Sequence, residues 1–256
     1  MITDIPMIMI RGAAINTSAP RRGSPKKRPG FSEASFLLLQ ITDASFPVGA
    51  YTHSFGLETY IRESLVRDER TAESCLVRIL ENSFLYSGLL LFRCAWDAAA
   101  AGGLRRLEEL EELSFAAKPF REPREASMKL GSRFVKTAAE LLPAGTIFDQ
   151  YRNKLNGRCS HVIACGVFCA ATGIGREDAL GAFLYARSSA MATVCVKTIP
   201  LSQTGGQRIL SACRGRFGLL LDKLQGLDQD DLFRSCPGLD IRSMRHEALY
   251  SRLYMS

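Results

Sequence analysis

Residues 71–101 read TAESCLVRILENSFLYSGLLLFRCAWDAAAA, and the fold is decided in this stretch. Leu76, Ile79, Leu80, Phe84 and Leu91 recur at helical spacing behind Thr71, a residue suited to an N-cap. Leu85, Leu89, Leu90 and Phe92 make the opposite side apolar as well. A helix that is apolar all round has to be surrounded, so this segment is expected at the centre of a bundle.

The flanking sequence supplies the helices that would surround it. A charged helix is expected over residues 104–115, ended by Lys118-Pro119, and another over 122–142, stopped by Pro143 and Gly145. Residues 161–172 form a short apolar helix ending at Gly173. A long helix over 178–199 is stopped by Pro200 and carries Leu180, Leu184, Met191 and Cys195 along one side. Gly181, Ala182, Ala186, Ser188, Ser189, Ala190 and Ala192 keep its other surfaces small, which lets a second helix approach closely. Gly205-Gly206 is expected to turn the chain into a helix over 207–224, and Asp240 to cap a last helix from Ile241. The branched cluster 194–199 is the best strand candidate, but helical periodicity carries through it. The expected fold is all-α, a single-domain multi-helix bundle.

The chain has 256 residues, 46 % hydrophobic and 23 % charged, enough for a core without disulfides or a structural metal. Its formal charge of +7 is uneven, because residues 1–30 carry a net +5 and the remainder only +2. Residues 16–30, NTSAPRRGSPKKRPG, have the composition of a disordered basic arm. The expected division is a disordered arm over 1–31, a helical domain over 32–240 and a C-terminal segment over 241–256. A basic arm on a nearly neutral body is not the pattern of a nucleic-acid-binding domain. The apolar run 84–101 is broken by Arg93 and Asp97, and 162–175 is too short and glycine-rich to span a bilayer. No export signal is evident, so a cytoplasmic protein with eight reduced thiols is expected.

Chemistry-bearing patterns are sparse. Thr172-Gly-Ile-Gly175 and Thr204-Gly205-Gly206 lack the lysine and preceding strand of a phosphate-binding loop. His53, His161 and His246 stand far apart in the sequence. Cys159, His161, Cys165 and Cys169 make the most metal-like cluster, yet they sit among Val162, Ile163, Val167 and Phe168, where cysteine is an ordinary small hydrophobe. Glu108, Glu109, Glu111 and Glu112 suit a solvated helix face. With no coherent catalytic set, metal site or cofactor motif, an interaction protein is favoured over an enzyme. A Cys/His enzyme, a nickel-storage protein and a nucleic-acid module remain the rivals.

Residues 38–58, LLQITDASFPVGAYTHSFGLE, resemble the N-terminal signature of the UreF family of urease accessory proteins. His161 with Val167 and the small residues that follow resemble that family's middle helix. PLSQTGGQ at 200–207 resembles its turn, and residues 240–256, DIRSMRHEALYSRLYMS, resemble its C-terminal tail. The tail and the turn look most like the version found with Helicobacter-type ureases. The resemblance implies a dimeric all-α scaffold without catalysis or cofactor. That scaffold binds a UreD- or UreH-type partner and recruits the UreG GTPase for nickel delivery to the urease apoenzyme. It also implies roles at the partner face or along a nickel route for Tyr51, His53, Lys197, Gln207, Tyr250, Arg252 and Tyr254, and a dimer contact at Tyr185. A structural hydrogen bond is the competing role for His53. Lys197 stands where many relatives carry arginine. The mixture of arginine and tyrosine in residues 242–256 is that of an interface segment, expected to be mobile in the free protein and to order against its partner.

Overall fold

The structure, a computed structural model, describes residues 31–49, 53–54, 56–118, 121–156, 158–234 and 236–254. The expected disorder of the basic arm lies outside the described residues, as does Tyr51. Every regular element among the described residues is helical. These are α1 (Glu33–Thr42), α2 (Leu57–Arg62), α3 (Glu69–Ile79), α4 (Leu90–Ala100), α5 (Leu104–Ala116) and α6 (Arg121–Ala138). There follow α7 (Ile147–Lys154), α8 (His161–Ala171), α9 (Arg176–Thr198), α10 (Gln203–Arg214), α11 (Phe217–Gln225) and α12 (Pro237–Arg245).

The quoted stretch is the spine of the bundle. α3 and α4 are joined by a π-helical segment, Leu80–Leu89, into one 32-residue helix, Glu69–Ala100. Leu76, Leu80, Leu85, Leu89, Leu90 and Leu91 are all fully buried in it. Its N-cap is Asp68 rather than Thr71. The Asp68 carboxylate accepts from Thr71 N at 2.8 Å while the Thr71 hydroxyl accepts from Asp68 N at 3.1 Å, a reciprocal capping box.

α8 lies directly against α4. At Gly166 a Cβ would stand 2.8 Å from the Phe92 carbonyl oxygen, so hydrogen is the side chain that lets these two backbones meet. Arg93, the charge that interrupts the apolar spine, reaches out to the C-terminal end of α11 and donates to the carbonyls of Leu224 and, at 2.7 Å, of Leu227. The spine and α9 are each long and apolar enough to cross a membrane by length and composition, but most of the spine's apolar window is buried inside the fold.

Other boundaries move for local reasons. α6 ends at Ala138 and tightens into a 3₁₀ turn, and α7, only eight residues long, is not among the helices expected from the sequence. The expected helix over 207–224 is two helices broken at Gly215 and Arg216. Gly205 and Gly206 are inside the first turn of α10, not a turn before it. Ser202 caps that helix, and a Cβ on Gly206 would collide with the Val196 side chain of α9. α12 begins at Pro237, so Asp240 lies in its first turn instead of capping it, and the 240/241 boundary falls inside a helix.

Candidate partner surface and cavity

The N-terminal signature and the C-terminal tail, almost two hundred residues apart in sequence, meet through one buried carboxylate. Gly56, with φ at 86°, turns the chain so that Glu58 in the first turn of α2 points inward. Glu58 accepts hydrogen bonds from Leu253 N at 2.9 Å, Tyr254 N at 3.1 Å and His246 Nε2 at 3.1 Å. His246, fully buried, turns its Nδ1 to Glu122 of α6 at 2.8 Å, so that each ring nitrogen meets a carboxylate. Arg252 donates to the other oxygen of Glu122 at 2.5 Å. Nearby, the Thr59 hydroxyl donates to the Arg242 carbonyl at 2.9 Å, and Arg242 and Arg245 both pair with Glu63.

The tail, expected from the sequence to be mobile in the free protein, is docked on the body in the structure. Charged and backbone groups that would be costly to bury alone satisfy one another only when the tail is docked. Tyr254 is buried against the end of α9 beside the Thr198 hydroxyl, so it anchors the tail rather than facing outward. Tyr250 is fully exposed, with Ile241, Met244 and Leu253 also exposed on the same segment.

Lys197 and Gln207 are exposed where α9 and α10 pack against each other. Tyr185 is 50 % exposed on α9, at the rim of a cavity of about 490 Å³ between α1, the spine, α6, α8 and α9. A Cβ built on Gly181 meets open space among the described residues, so α9 is open on that side.

His53 and Tyr254 line the same cavity, together with His161, Cys165 and Arg187. The buried His53 imidazole is held down to about 4, first by burial and then by Arg133. His161 is likewise held down to about 4 by burial and by Arg187. Its Nε2 lies 3.4 Å from Cys165 Sγ, one helical turn on. Burial raises the Cys165 thiol well above its ordinary value and Cys169 to about 12, so both are protonated thiols and not nucleophiles at neutral pH. No group of three or more His, Cys, Asp or Glu side chains arranged to hold a metal occurs among the described residues.

The UreF family profile matches residues 66–214, the spine through α10. The chain belongs to the UreF family. Similarity to the urease accessory protein UreF of Bacillus sp. (strain TB-90) is 32 % identity over 222 residues, 86 % of this chain and 97 % of that one. The UreF of Haemophilus influenzae (strain Rd) is 34 % identical over 221 residues, 86 % of this chain and 94 % of its own. The UreF of Corynebacterium glutamicum (strain R) is 33 % identical over 226 residues, 88 % and 99 %. For a UreF, the informative sites that sequence reading missed are Glu58, Glu122 and His246 as a set. The signal for them is faint: a glutamate in a short helix, another in a charged helix and an isolated histidine, with no spacing that links them.

Proposed function

We propose that this UreF is a non-catalytic, cytoplasmic scaffold of urease maturation that binds a UreD- or UreH-type accessory protein and recruits the UreG GTPase for nickel insertion into apo-urease. The observation that carries the reading is the anchored tail. Glu58, His246 and Glu122 hold α12 and the residues after it in place, so that Ile241, Met244, Tyr250 and Leu253 are presented together from a preorganised segment. Large apolar and aromatic groups fixed in advance bind a partner without a further ordering cost. The paired alanine variant Met244→Ala/Tyr250→Ala should lose retention of the UreD- or UreH-type protein on co-purification while its unfolding free energy stays within about 0.5 kcal/mol of the parent, the usual range for exposed sites. Full retention of that partner overturns the assignment.

Lys197 and Gln207 are assigned to the GTPase-facing side. Alanine at either should lower urease activation and leave thermal unfolding unchanged, whereas equal losses of both would mark them as structural. Tyr185 is assigned to a homodimer contact, supported by its exposure and by the open surface at Gly181. Tyr185→Ala should shift sedimentation from dimer towards monomer, and a monomeric parent at tens of micromolar overturns this. His53 and His161 are assigned to the lining of a nickel route, because neutral imidazoles facing a cavity can serve as transient ligands. Equilibrium dialysis showing tight, stoichiometric Ni²⁺ would instead favour storage.

A further inference from the structure

A second cavity, of about 510 Å³, opens between the end of α5, the first half of α6 and the segment before α8. It shares Lys118 and Ser127 with the first cavity, but its lining is more basic: Lys118, Arg124, Lys154 and Arg158 bring four positive charges to it, with the hydroxyls of Ser114, Ser127 and Ser160. The Lys118 ammonium donates to the Ser114 hydroxyl at 2.8 Å and to the Ser114 carbonyl at 3.3 Å. Ser114 Oγ lies 3.4 Å from Ser160 Oγ, which lies 3.3 Å from Ser127 Oγ. An ammonium and three hydroxyls thus form one connected row along the wall.

Little of that charge is neutralised within the chain. Lys154 pairs with Glu108 at 3.3 Å. Arg124 stacks over the Phe115 ring at 5.0 Å instead of meeting a carboxylate. Among the described residues, no carboxylate comes within ion-pair distance of Lys118, Arg124 or Arg158. Two carboxylates line the cavity, Glu111 and the exposed Glu112; Glu111 is already engaged, accepting from the Tyr151 hydroxyl at 2.5 Å and from Ser160 N at 2.9 and 3.0 Å, in effect capping α8. Ser160, the N-cap residue of α8, makes no side-chain cap bond, so its hydroxyl is left to the row.

We propose that this cavity binds a phosphate-type oxyanion through the Lys118 ammonium, the Ser127 and Ser160 hydroxyls and the Arg124 guanidinium. Ammonium, guanidinium and hydroxyl donors converging on one space are what such an anion requires, and the charge-assisted bonds formed are stronger than those to the neutral oxygens they replace. Burial, opposed by Glu111, pushes the Lys118 amine down to about 8, and a bound anion would favour its charged form. The site adjoins the cavity assigned above to a nickel route, sharing Lys118 and Ser127 with it, and is tested without nickel or a partner.

Calorimetric titration of the full chain with inorganic sulfate, which keeps its charge across the range, against chloride at equal ionic strength is the first experiment. Saturable one-to-one binding is expected, weakened about tenfold or more in Lys118→Met and also weakened in Arg124→Ala, with the distant Arg214→Ala unchanged. Affinity should fall about tenfold per pH unit above the lysine's value of about 8. Inorganic phosphate and phenyl phosphate form a second arm: equal affinity indicates a free ion, tighter phenyl phosphate a phosphorylated organic molecule packing towards Phe115. If Lys118→Met does not fold, the ¹³C signal of reductively methylated Lys118 in the parent must titrate higher with sulfate present. No saturable sulfate binding, an unaffected Lys118→Met or an unmoved Lys118 titration overturns the proposal.

Discussion

Replacing Glu58 by alanine removes the acceptor for three donors at once: Leu253 N, Tyr254 N and His246 Nε2. A buried donor left without a partner costs about 1–3 kcal/mol, and breaking a buried charged contact about 3–5 kcal/mol, so a tail that stayed in place would be penalised by several kcal/mol. Releasing it is the cheaper response. Undocking hydrates the two amides and exposes Tyr254, whose burial contributes about 1.5–3 kcal/mol by analogy with other large side chains. The variant should therefore let the tail go while the bundle stays folded. Amide hydrogen exchange reads this directly. Leu253 and Tyr254 should move to near-intrinsic rates in Glu58→Ala, with α8 and the spine still protected, and global stability should fall by no more than about 2–3 kcal/mol. Glu58→Gln, which keeps one acceptor oxygen and the volume, should give an intermediate result. Protection at residues 253 and 254 that survives Glu58→Ala, or a loss spread evenly through α8, would refute the claim that this carboxylate ties the tail to the body.

Gly166→Ala should destabilise the fold by about 1–3 kcal/mol, read as a lower urea midpoint, because the new methyl meets the Phe92 backbone carbonyl and not a side chain that can rotate away. Arg93→Met should cost about 1–3 kcal/mol by removing the charged donor to the Leu227 carbonyl and one of the donors to the Leu224 carbonyl at the end of α11, and exchange should rise first at α11. Stability should also fall on acidification. His53 and His161 are held near 4 in the fold, so from about pH 6.5 down to 4 the unfolded chain binds two protons that the folded chain refuses. Glu111, pushed up to about 7 by burial, binds one proton in the fold that the unfolded chain does not bind above about 4.5. The net is about one proton, or ~1.4 kcal/mol of stability lost per pH unit of acidification. Glu111→Gln should steepen the slope towards two protons. A flat profile, or a slope unchanged by that substitution, counts against these assignments.

By itself the sequence determined the helical class, the central position of residues 71–101 and the family. Those readings rest on local periodicity, on capping and stop residues such as Pro200, and on contiguous motifs, all of which are properties of neighbours in the chain. Lys197 and Gln207 could be singled out because they stand on either side of the Pro200 turn in one continuous stretch. What only the tertiary structure decided is which distant residues share a space. The tail looked free because its composition is too polar for a core, yet Glu58 and Glu122 bring into the interior the charges that its amides and His246 require. The glutamates of α5 looked like a solvated face, and Glu111 turns inward to cap α8. In each case a polar group is buried because a partner more than forty residues away satisfies it, and hydrogen bonding over that separation leaves no periodic trace in the chain.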